Sequence, residues 1–148
     1  MFKHILIPTD GSPVASKAVK AGIQFAKILG ARVTGYYAIE PIQRHVYGEG
    51  YLINNKKFVQ ALQQRAREIG EKHMGAMSNA AMAAGVPFSA AIAGAETPYE
   101  GIVEAAKKYK CDAIFIASHG RRGVAGLLMG SVTQKVLTHS KLPVMVYR

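Results

Sequence analysis

Three observations predict an α/β fold, a three-layer sandwich of helices around a five-stranded parallel sheet. Five short, β-prone apolar runs recur along the chain, with helix-like segments between them. Several are apolar nearly throughout instead of alternating, the pattern of strands covered on both faces. Helix-bearing crossovers separate the runs, as parallel pairing requires. With 148 residues and 49% hydrophobic content, the chain is long enough for one domain with a full core, so a single domain over 1–148 is expected.

The first strand is expected over Phe2–Ile7. Ser12-Pro13 then reads as an N-cap followed by proline at the first helical position. Ala15, Ala18, Val19, Gly22, Ala26 and Leu29 give that helix one apolar stripe, closed by Gly30. Val33–Ile39 is the second strand, and Glu40–Asn54, with Tyr47 and Tyr51, reads as a loop over one edge. A long second helix is expected from about Asn55 to Ala84, with Phe58, Leu62, Ile69, Met77 and Ala81 at helical spacing. Gly70 and Gly75 weaken it by about 1 kcal/mol each relative to alanine, so a kink or frayed middle is expected. Its methionines Met74, Met77 and Met82 read as core packing against the sheet.

Phe88–Ala93 is the third strand. Thr97-Pro98-Tyr99-Glu100 reads as a capping box that opens a helix with Ile102, Val103 and Ala106 on one face. Ala113–Ala117 is the fourth strand. The last helix runs from about Gly130 to Ser140, with Val132, Val136 and Leu137 facing inward, and Pro143 opens the final strand, Val144–Tyr147.

Composition excludes several classes. No apolar run approaches the roughly 20 residues of a membrane span, and the start lacks a signal-peptide layout, so a soluble, cytoplasmic protein with no membrane partner is expected. A single cysteine, Cys111, allows no internal disulfide or cysteine cage and reads as a half-buried thiol. The formal net charge of +10 implies attraction to anions. Because the lysines and arginines are spread along helix-like segments without interleaved aromatic groups, a nucleic-acid partner is not expected. His4, His45, His73 and His139 lack metal-ligand spacing, and no metal site is expected.

The chemistry concentrates in two loops. Ala117 to Thr133 is a glycine-rich stretch carrying Arg121 and Arg122, set between an apolar strand and a helix. Glycines let backbone amides approach an anion, and the helix beginning near Gly130 adds unpaired N–H groups and the positive end of its dipole. In such sheets ligands bind at the carboxyl ends of the strands, where the strand order reverses. Those ends are Pro8-Thr9-Asp10-Gly11-Ser12 and Ala117-Ser118-His119-Gly120, two loops that converge on one edge. Neither the P-loop nor the dinucleotide glycine pattern is present. Ser118 beside His119 invites a nucleophile-and-base reading, but adjacent residues on an extended segment are expected to point apart.

Ile5-Leu6-Ile7-Pro8-Thr9-Asp10-Gly11-Ser12, Ala117-Ser118-His119-Gly120, the Gly130-Ser131 pair and Leu142-Pro143-Val144-Met145-Val146 together resemble the universal stress protein family, over essentially the whole chain. The resemblance implies the adenine nucleotide alpha hydrolase-like fold. The family's nucleotide binders carry glycine, two residues, glycine, nine residues, then glycine followed by serine or threonine; this chain matches at Gly120, Gly130 and Ser131 and has Ala117 at the first glycine. By that resemblance Asp10 contacts the ribose, the Ala38 backbone reads adenine, and amides at Gly120, Gly130, Ser131 and Val132 hold phosphates. The candidate binding residues are thus Pro8, Thr9, Asp10, Ala38, Ile116, Ala117, Ser118, His119, Gly120, Arg121, Gly130, Ser131, Val132 and Thr133. The ligand is ATP or another adenine nucleotide, with Mg²⁺ riding on its phosphates.

Two function classes follow. One is a stress-response regulator in which nucleotide occupancy sets the state of the loop from Arg121 to Met129. The other is a slow ATPase or autophosphorylating protein, with Ser131 or Thr133 beside the γ-phosphate. The sequence favours the first, because His119 is the one general-base candidate near the glycine loop and no second group stands ready to position a water. Residues 142–148, apolar and β-prone, are expected at a sheet edge, where pairing with a second copy would give a homodimer; the resemblance points the same way.

Overall fold

The computed structural model describes residues 1–41, 56–120 and 129–148. Residues 42–54 of the loop expected over Glu40–Asn54 and the segment 121–128, with Arg121 and Arg122, lie outside the described residues, as does His45. In chain order the elements are β1 (His4–Pro8), α1 (Pro13–Leu29), β2 (Arg32–Ile39), α2 (Lys56–Ala84), β3 (Phe88–Gly94), α3 (Pro98–Lys108), β4 (Ala113–Ala117), α4 (Ser131–His139) and β5 (Val144–Tyr147). The sheet is parallel throughout, in the order β3-β2-β1-β4-β5. The chain steps outward from β1 to β3, then returns to the other side of β1. With one crossover hand kept throughout, that reversal sends α1 and α2 to one face and α3 and α4 to the other.

Two cores result, separated by the sheet. Ile5, Ile7, Val33, Tyr37, Phe115 and Ala117 point toward α1 and α2, whereas Leu6, Tyr36, Ala91, Ile114 and Ile116 point toward α3 and α4. This period-two division explains why the strands look uniformly apolar: both faces are buried, and each fully buried Ile or Leu contributes about 1.5–3 kcal/mol.

Local signals set the helix ends. The Ser12 side chain accepts from the Ala15 N–H at 3.2 Å, and Gly30 closes α1 in the left-handed region. Thr97 behaves differently from the expected capping box. Its hydroxyl donates to Glu100 Oε2 at 2.6 Å and makes no bond to a helix amide. β1 begins at His4, two residues later than expected, because the Asp112 carboxylate takes the amides of Lys3 and His4 at 2.7 and 3.0 Å before β4 starts.

α2 is one unbroken helix, without the expected kink. Its buried stripe is Gly70, Met74, Met77 and Ala81. Ile69 and Met82 sit one residue off that stripe, about 100° round the helix, and are exposed, correcting their expected core roles. Leu137 is likewise exposed beside fully buried Val136. Cys111 is buried, not half-buried, and burial pushes its thiol up to about 11, which makes it an inert core group. Among the described residues no helix is long and apolar enough to cross a membrane.

His4 is buried at the start of β1, with Nε2 2.7 Å from Thr34 Oγ1, which in turn lies 2.9 Å from Ser89 Oγ. Burial, and next the Arg32 charge, lower its pKa below 6.5. The folded protein therefore keeps His4 neutral at a pH where the unfolded chain has begun to protonate it. The stability present above pH 6.5 is expected to fall as the pH drops toward the folded-state value, then to level off. Urea midpoints at pH 7.5, 6 and 5 check this: His4→Gln, which retains a partner for Thr34, is expected to show the shallower pH dependence, and parallel curves would refute the assignment.

Candidate nucleotide site

The reversal of strand order falls between β1 and β4, and a cleft of about 290 Å³ opens at the carboxyl ends of the strands there. Of the residues expected from the sequence, Pro8, Thr9, Asp10, Ala38, Ile116, Ala117, His119, Gly120, Gly130, Ser131, Val132 and Thr133 line it. Ser118 does not: it is buried beneath the wall. Arg121 lies outside the described residues.

The first loop is built on Asp10. Its Oδ1 accepts from the Ser12 N–H at 2.9 Å, Thr9 Oγ1 accepts from the Gly11 N–H at 3.1 Å, and the Thr9 N–H donates to the Tyr36 carbonyl at 2.9 Å. The second loop meets it directly. A Cβ on Gly120 would stand 2.5 Å from Asp10 Oδ2, so only glycine lets the carboxylate lie against that backbone. The Gly130 N–H donates to the Ser118 carbonyl at 2.7 Å, which draws the start of α4 against the end of β4, and Thr133 Oγ1 ties the same helix to the Ala117 carbonyl at 2.8 Å.

The start of α4 suits an anion, while the Asp10 and Glu40 carboxylates lie elsewhere in the cleft wall. Gly130 is the N-cap of α4 and supplies no side-chain acceptor, and the first turn of α4 carries no acidic residue. Ser131, Val132 and Thr133 therefore present the positive end of the helix to the cleft they line. α1 also begins without an acid in its first turn.

Ser118 and His119 do not point apart as expected. β4 ends at Ala117, the extended geometry ends with it, and Ser118 Oγ lies 2.9 Å from His119 Nδ1. The pair still offers no exposed nucleophile, because Ser118 is 2% accessible. The Ala117 methyl, at the position of the motif glycine, belongs to the core on the α1 side with Ile7 and Ala15.

Sequence reasoning missed Ala15, Tyr36, Tyr37, Glu40, Pro98 and Ile102, which complete the wall. Their placement at the end of β2 and the starts of α1 and α3 was the signal available, since those ends share the edge where the loops converge. A larger cavity, about 580 Å³, lies between α2 and α3 and is lined by Glu40, Glu96, Glu100 and Glu104. That lining suits no phosphate.

The sequence model of the universal stress protein family matches residues 1–148. The chain belongs to that family. A relative from Thermus aquaticus, the universal stress protein in the QAH/OAS sulfhydrylase 3′ region, is 32% identical over 148 residues, the whole of both chains. Among solved structures, that of MJ0577, a protein assigned a biochemical function from its structure, superposes with a TM-score of 0.81 at 28% identity, over 99% of this chain and 95% of the other. A universal stress protein in complex with cAMP shares the fold at a TM-score of 0.68 and 23% identity, over 99% and 97%. This family member thus has the adenine nucleotide alpha hydrolase-like fold.

Proposed function

We propose that this protein, as a single domain in the cytoplasm, is a stress-response regulator that binds an adenine nucleotide in the cleft between the ends of β1 and β4. The observation that carries the reading is the meeting of Asp10, Gly120 and the acid-free start of α4 at the reversal of strand order. Asp10 offers a carboxylate acceptor for vicinal ribose hydroxyls. The backbone at Ala38 serves adenine, and the amides of Gly120, Ser131 and Val132 serve the phosphates; the Gly130 amide, expected from the sequence to join them, is instead committed to the Ser118 carbonyl. A cAMP complex on the same fold supports the ligand class. Among the described residues no three metal-ligating side chains cluster, so Mg²⁺ would arrive on the phosphates.

ATP, ADP or AMP at about 100 times its dissociation constant is expected to stabilise the protein by roughly 2.7 kcal/mol. A thermal melt unmoved by millimolar concentrations of all three, with and without Mg²⁺, would sink this reading.

The same proposal includes a homodimer through residues 142–148. β5 is the outer strand beside β4, and its residues Val144–Tyr147 are all half-buried, so one edge of an apolar strand faces outward. Pairing with a second copy would satisfy its free backbone groups. Sedimentation is expected to give twice the 15.9 kDa chain mass, and Val146→Pro, which removes a backbone donor from the open edge because the Pro143 and Tyr147 positions bond toward β4, is expected to weaken the dimer. A parent chain sedimenting as a monomer at micromolar concentration would defeat it.

A further inference from the structure

We propose that His73, on α2 and outside the cleft wall, is a positioning residue that holds the Asp10 turn in its binding geometry; the nucleotide arm of this inference rests on the function proposed above. The space that a Cβ on Gly11 would occupy is filled by the His73 imidazole, with Nε2 foremost and Cδ2 at 3.0 Å. Gly11 has φ +78°, a conformation that glycine reaches freely but does not hold by itself. The ring pressed against its Cα supplies the restraint.

The ring is itself fixed. It stacks on Tyr37 with centroids 5.7 Å apart at 26°, and Tyr37 lines the cleft. Gly70, one turn earlier on the same face of α2, leaves room for that tyrosine: a Cβ there would stand 2.8 Å from Tyr37 Cδ1. α2 therefore grips the end of β2 at Tyr37 and the turn after β1 at Gly11 through one side chain. From the other side Gly120 abuts the Asp10 carboxylate. His73 on one side and Gly120 on the other thus bound the turn that aims Asp10, whose Oδ1 is tied to the Ser12 N–H.

The first measurement needs no ligand. In His73→Ala the Ser12 amide, bonded to Asp10 Oδ1, is expected to exchange with solvent about tenfold faster, with the β1 and β4 amides unchanged, and His73→Phe, which keeps a ring, is expected to restore it. An unchanged Ser12 amide, or a phenylalanine variant as fast as the alanine variant, overturns the proposal.

The second compares ATP with its 2′,3′-dideoxy analogue by calorimetry. His73→Ala is expected to weaken ATP by roughly tenfold, the scale of one lost hydrogen bond to a charged group, and to leave the dideoxy analogue unaffected. Equal loss for both would mean a merely structural role and overturn the positioning claim. If the parent binds neither nucleotide, the functional reading fails by itself and amide exchange alone decides the role of His73.

Discussion

Gly130→Val is expected to abolish nucleotide binding, with affinity falling by about 100-fold or more, equivalent to about 2.7 kcal/mol. A Cβ at this position already stands 3.4 Å from His119 Cα and 3.4 Å from the Ser118 carbonyl oxygen, tight contacts with backbone that cannot swing aside. The two methyl groups of valine add bulk at the N-cap of α4, between that helix and the Ser118–Gly120 backbone, beside the turn where a phosphate would sit. The backbone at Gly130, φ −73° and ψ 153°, suits valine well, so the loss is one of space and not of fold. Calorimetry with ATP checks it, with a urea midpoint near that of the parent as the control for folding. A variant that binds as well as the parent would show that phosphates are held elsewhere.

Gly101→Val is expected to lower stability by about 3 kcal/mol, the upper part of the usual range for overpacking a core. Gly101 lies in the first turn of α3 where that helix crosses β2. A Cβ there would collide with the Tyr36 hydroxyl and stand 2.6 Å from Ala95 Cβ. Tyr36 has nowhere to go. It is 2% accessible, and burial pushes its hydroxyl up to about 12, so the group stays protonated and cannot be expelled as a charge. α3 must lift from the sheet instead, and because Tyr36 and Ile102 both line the cleft, the site deforms with it. Urea unfolding should show a lower midpoint at constant slope. Tyr36→Phe in the same chain should recover part of the loss, and an unchanged midpoint would refute this account of the packing.

β4 and β5 were legible to the residue, because each is a short apolar run with a marked start, at Asp112 for β4 and at Pro143 for β5. α2 was legible in extent but not in detail. Gly70 reads as a weakness until the Tyr37 ring that it accommodates is in view, and that ring comes from a strand more than 30 residues away. The same limit applies to the site. Asp10, Gly120 and Gly130 stand in the two loops after β1 and β4 and in the motifs that carry the family resemblance, whereas Tyr36, Tyr37, Pro98 and Ile102 reach the cleft only because β2 ends and α3 begins at the same edge of the sheet. The Ser118–His119 contact failed for a different reason: the extended backbone that would have kept the two apart stops one residue before them.

The order β3-β2-β1-β4-β5 also governs how the chain comes together during synthesis. β1 lies at the centre of the sheet yet leaves the ribosome first, and about 105 residues separate it from its partner β4. At about 5–20 residues per second, the β4 edge of His4–Pro8 waits roughly 5–20 s for Ala113–Ala117, long after β2 has covered the other edge. For that interval the nascent chain carries an open strand edge with the apolar run Ile5–Ile7 at its centre, an arrangement prone to pairing with a neighbouring chain. Completion of the β1–β4 seam, and with it of any site there, waits for β4, so a chaperone that shields residues 4–8 would act on this protein during translation.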